Sequence, residues 1–186
     1  MSNSKDDKRK ISLFVVIVNG LLTAACVVWL FNLLITKEVS AYIRLEIVTD
    51  IIASLVAIAY LVAGYSKSVA GHYKASMIIA AINALIVAIV STKEYIQIIP
   101  VIMCAVACVL ICALAFVKNM GKTISISLCI ALVVIRIAGL ISVVLSPAFE
   151  TVSTHMALLI TQTVLALMIT VITYAKYADK AARNTI

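Results

Sequence analysis

Asp50 and Arg136 are ionisable residues set well inside long apolar runs of this sequence, and hydrocarbon penalises each such group by roughly 2.5–3.5 kcal/mol on insertion scales. A side chain carrying that cost must be matched by something. Glu46 lies one helical turn before Asp50 and shares its face. Counted from the nearer membrane surface, Arg136 lies about 15 Å deep and Asp50 about 8 Å deep at the helical rise. The arginine stem spans that difference, so a pair is expected, with Asp50 as first partner and Glu46 as second. Such a pair either locks a helix bundle together or forms a binding site for a polar or anionic solute.

Further polar residues fall in the same half of the chain's apolar runs: Asn32, Gln97, His155 and Gln162. His155 and Gln162 are seven positions apart and so share a face. If these faces converge with Glu46, Asp50 and Arg136, the chain has a polar vestibule open to one side. Taken singly, each is also an ordinary interhelical hydrogen-bonding residue.

Cys104, Cys108 and Cys112 form a stripe at i, i+4 and i+8, with Gln97 on the same face and Pro100 beside it as an expected kink. Thiols in a row suit a soft ion such as Cu(I). No Met-rich or His-rich segment accompanies them, so the stripe is read as helix packing and no metal or other cofactor is expected. Catalysis is not expected either. The two histidines, His72 and His155, are placed on opposite sides by topology, and no His-Glu-x-x-His, Gly-x-Ser-x-Gly or Gly-rich phosphate loop occurs.

The elements that must position these residues follow from composition. Of the 186 residues, 65% are hydrophobic and 12% charged, far from the roughly 45–50% and 25% of soluble domains. The surplus apolar surface needs lipid. Long unbroken runs choose helices over a barrel, whose strands alternate in short segments. Six spans are predicted, at about 11–36, 45–65, 75–92, 95–117, 123–145 and 155–174. They make one all-α transmembrane domain over residues 1–186, a compact six-helix bundle with short tails at 1–10 and 175–186. The third and fourth spans are separated by Lys93-Glu94 alone, which predicts a tight hairpin.

The net charge of +7 does not point to nucleic acid, because the basic residues sit at the ends of apolar runs. Eleven of them fall on the side of the N-terminus (Lys5, Lys8, Arg9, Lys10, Lys67, Lys74, Lys118, Lys122, Lys176, Lys180, Arg183), against Lys37, Arg44 and Lys93 opposite. This bias predicts that both termini are cytoplasmic, with Pro147–Thr154 external, in a multi-pass protein of the cell membrane such as a bacterial plasma membrane. Ala24-Ala25-Cys26 resembles a lipoprotein cleavage site, but the apolar run continues through Val27–Thr36, so the first segment is read as a permanent span. The five cysteines all fall inside apolar runs and imply no disulfide framework.

An aromatic residue followed by lysine recurs at Tyr65-Ser66-Lys67, Phe116-Val117-Lys118 and Tyr174-Ala175-Lys176. Aromatic belts and the positive-inside bias produce this pattern without any internal repeat.

Two functions fit. One is a solute-binding or transport component with an outward polar cavity. The other is a non-catalytic membrane subunit or scaffold that binds another membrane protein through small-residue faces at Ala53/Ala57, Ala84/Ala88 and Cys104/Cys108. In size and helix number the chain is similar to the substrate-binding S components of energy-coupling-factor vitamin transporters, although its five glycines and two prolines are few for that family and no motif is shared. The bilayer itself is the one partner that composition requires.

Overall fold

A computed structural model describes the backbone of residues 3–66, 73–94, 97–117, 120–145 and 153–183, and the side chains of 14–62, 73–94, 97–117, 120–145 and 154–177. Lys67, His72, Tyr95, Lys118 and the loop at 147–152 therefore lie outside the described residues. The apolar runs form six helices: α1 (Asn3–Thr36), α2 (Ala41–Ser66), α3 (Tyr73–Glu94), α4 (Ile98–Phe116), α5 (Lys122–Val144) and α6 (Ser153–Arg183). Each is long and apolar enough to cross a membrane, and helices satisfy the backbone where no water can. The protein is a polytopic all-α membrane protein.

Several boundaries differ from the sequence reading. The helix of α1 begins at Asn3 and that of α6 runs on to Arg183, so residues read as tails continue their helices beyond the apolar segment. Lys93 and Glu94 belong to the last turn of α3, and α4 starts at Ile98 with Gln97 as its N-cap. Pro100 therefore sits in the first turn of α4, where its missing N–H has no carbonyl to lose, and the expected kink has no cause there. Through Cys26, α1 is uninterrupted.

The link from α1 to α2 is short and its chemistry is local. The Ser40 hydroxyl accepts from the Ile43 N–H at 3.2 Å, capping α2. The same hydroxyl donates to Glu94 Oε1 at the end of α3. These contacts bring the α1–α2 link and the end of α3 to one end of the bundle, the near end. At the far end, Tyr177 donates to the Met120 carbonyl at 2.8 Å and stands 2.8 Å from the Ser125 hydroxyl. There too Tyr73 and Thr173 share a hydrogen bond at 3.2 Å, and Lys176 Nζ lies 3.9 Å above the Tyr73 ring.

Each helix packs against the next in sequence, and α6 closes the ring against α1 while also touching α2 and α3. Hence α6 is the most buried span and α1 the least. Phe14, Leu21, Val28 and Ile35 are exposed at seven-residue spacing along α1, a stripe that only lipid or another apolar surface can cover.

The interior holds two main apolar clusters. Towards the near end Val27, Leu30, Ile43, Ile47 and Leu158 join α1, α2 and α6. A larger one, including Ala57, Ala80, Ala107, Leu132 and Ile169, fills the rest of the bundle from α2 to α6. The faces Ala53/Ala57 and Cys104/Cys108 are buried in these contacts, as is Ala84, with Ala88 half-buried.

Candidate functional site

Polar side chains from five helices meet in one buried layer. Glu46 and Asp50 come from α2, Asn83 from α3, Cys104 from α4, Arg136 from α5 and Gln162 from α6, and each is at most 5% exposed. Measured along their own helices, they lie between about 8 and 16 Å from the near end at the helical rise. The layer occupies one half of the bundle.

Its hydrogen bonds are specific. The Arg136 guanidinium donates from one terminal nitrogen to Gln162 Oε1 at 2.7 Å, with Cys104 Sγ at 3.7 Å from the same nitrogen. The Gln162 amide nitrogen in turn donates to Glu46 Oε1 at 2.7 Å. Asp50 Oδ1 accepts from the Asn83 amide nitrogen at 2.8 Å. The expected first partnership of Arg136 with Asp50 is therefore replaced. Arg136 reaches Glu46 through a carboxamide, and Asp50 is held by an asparagine. A carboxamide suits the intermediate place because it both accepts and donates.

Three polar atoms in or beside this layer have no hydrogen-bond partner among the described residues: Asp50 Oδ2, Ser54 Oγ and Arg136 Nε. Leaving a buried donor or acceptor unmet costs about 1–3 kcal/mol, more for charged groups. Beside the layer is a void with room for about one water molecule, lined by the polar Asn83, Arg136 and Gln162 and by apolar side chains that include Ala80, Ala84 and Ala166. An outward-open vestibule is not the form seen. The polar groups are enclosed.

Of the residues singled out from sequence, Glu46, Asp50, Arg136 and Gln162 meet. Gln97 and His155 are half-buried at the near-end starts of α4 and α6. Asn32 is exposed on α1, where its carbonyl accepts from the Thr36 hydroxyl at 2.7 Å. Asn83 and Ser54 are additions that the sequence reading passed over. Asn83 was detectable as an amide in the middle of the apolar run Met77–Val90. Ser54 lies one turn after Asp50 on the same face.

Among the described residues no three His, Cys, Asp or Glu side chains come together as a metal site. Cys104 instead points at Arg136, and the thiols are free. Gly139, one turn from Arg136, faces α4, where an added Cβ would stand 3.6 Å from the Met103 Cβ, an ordinary contact. Compared with protein-family models, with curated proteins and with solved structures, the chain finds no match.

Proposed function

We propose that this protein is a non-catalytic, solute-binding component of a membrane transport system, with Arg136, Gln162 and Asn83 forming the loading site. The observation that carries the reading is the void bordered by these three side chains, beside an Arg136 whose Nε–H has no acceptor among the described residues. A guanidinium and two carboxamides offer directed donors to a small polar or anionic group. At about one water in size, the void belongs to a closed form, and loading requires the helices around it to separate.

The orientation proposed with this function places both termini in the cytoplasm, on the eleven-to-three distribution of basic residues. The layer then sits in the outer half of a plasma membrane. The scaffold reading has less support, because the small-residue faces that would receive a partner are occupied by the bundle's own helices.

Native mass spectrometry of protein extracted from its own membrane tests the proposal. A small polar molecule retained by the wild type and lost in Arg136→Gln supports it. A stoichiometric second subunit, with no small molecule retained, replaces it with the scaffold.

A further inference from the structure

The layer holds two carboxylates, Glu46 and Asp50, against one guanidinium, Arg136. If all three were charged, an excess negative charge would be enclosed at a depth where hydrocarbon makes it expensive. The two acids are not equivalent. Glu46 is joined to the guanidinium through Gln162 and serves as its counter-charge. Asp50 accepts at Oδ1 from the neutral amide of Asn83 and has the neutral carboxamide of Gln162 beside it, and neither Oδ2 nor Ser54 Oγ one turn on has a hydrogen-bond partner among the described residues. Both residues are fully buried.

Resting on the reading of the layer as a loading site, we propose that Asp50 is its proton-binding site: Oδ2 carries a proton in the closed bundle. The uptake is simple in its balance. One proton leaves a hydronium ion of the adjoining water and adds to Oδ2, an O–H bond forms, a water molecule is left behind and the layer becomes electroneutral. A metal ion would not serve, since it needs a shell of several oxygens, and the void beside the layer is bordered by neither Asp50 nor Ser54.

The surroundings of Asp50 are otherwise uncharged. From α3 comes Asn83 and from α6 Gln162, both neutral amides. The described part of α1 has Cys26 as its buried titratable group. Glu94 and His155 stand nearer the helix ends, half-buried. Removing the proton leaves Glu46 and Asp50, a turn apart, both negative against a single Arg136. Proton release therefore favours opening of the layer, which couples loading to the proton.

Infrared spectroscopy of the protein in lipid nanodiscs, with no solute added, tests this independently of solute binding. Asp50 is the single aspartate in a span, so carboxyl carbon-13 labelling of aspartate identifies its signal without mutation. At neutral pH a protonated-acid C=O stretch is expected that shifts with the label. It should persist in Glu46→Gln, change frequency in Asn83→Leu, which removes the donor to Oδ1, and disappear as pH rises, together with part of the thermal stability. Absence of a label-sensitive acid band at neutral pH overturns the proposal. So does a band that vanishes on exchanging potassium for sodium, which would make the site one for a metal cation. A retained solute without the acid band would leave the loading site standing and remove the proton.

Discussion

Gln162 stands between Arg136 and Glu46, accepting from the guanidinium at 2.7 Å through its oxygen and donating to the carboxylate at 2.7 Å through its nitrogen. One carboxamide thus connects α5 to α2 across α6. A neutral side chain is carrying the connection between two charges, so its loss should cost more than its own polarity implies.

Gln162→Leu retains volume but leaves both a guanidinium nitrogen and a carboxylate oxygen unmet. Each stranded group costs about 1–3 kcal/mol, more for a charge, so the unfolding midpoint in detergent should fall sharply. A midpoint equal to that of the wild type would mean that the relay does not form.

Coupling energies should follow the observed partners and not the expected ones. A double-mutant cycle on Asp50→Asn and Asn83→Leu should give about 0.5–3 kcal/mol of interaction, the range for residues in contact. The cycle on Asp50→Asn and Arg136→Gln should give less. A reversal of that order, measured by thermal or denaturant unfolding, would restore the direct pair of Asp50 with Arg136.

The difference between these cycles also marks what one sequence can convey. Arg136, Asp50 and Glu46 stood out because a charge within an apolar run is costly wherever its helix packs. Which residue each would meet depended on the rotation and offset of neighbouring helices, and depth along the membrane gave only one of those coordinates. Asp50 and Arg136 match in reach, yet α6 brings Gln162 to the arginine and α3 brings Asn83 to the aspartate. Asn83 carries no charge, so nothing in hydropathy distinguished it from an incidental amide. The spans themselves were legible, because some twenty apolar residues have few alternatives to a helix in lipid. Pro100 misled for a positional reason: a shift of a few residues in the start of α4 moved it from an interior kink to a tolerated first turn.

Gly139→Ala should be neutral or stabilising. The added Cβ meets only an ordinary contact with Met103, and alanine in place of glycine favours a helix by about 0.8–1.0 kcal/mol. A marked drop in the unfolding midpoint would indicate that α4 and α5 approach more closely than 3.6 Å allows.

Orientation can be read with an impermeant thiol reagent on intact cells. The native cysteines all lie within spans, so new labelling reports the new site. Lys37→Cys, in the link after α1, should react from outside, and Lys122→Cys, at the start of α5, should not. The opposite result would invert the proteins's proposed placement in the membrane.

The polar layer lies near one end, and below it about 15 Å of helix separates Asn83 from Tyr73 on α3, packed with residues such as Ala80, Ile111, Leu132 and Ile169. This lopsidedness is also electrical. A membrane voltage drops mainly across the least polarisable stretch, so the larger apolar plug carries more of the field than the near-end cluster of Val27, Leu30, Ile43, Ile47 and Leu158 does. An elementary charge crossing the full field exchanges about 2.3 kcal/mol per 100 mV. A proton reaching Asp50 from the near end would traverse the smaller part of that field, whereas one continuing to the far end would traverse the larger part. Voltage sensitivity is thereby assigned to one direction of passage by the placement of uncharged side chains.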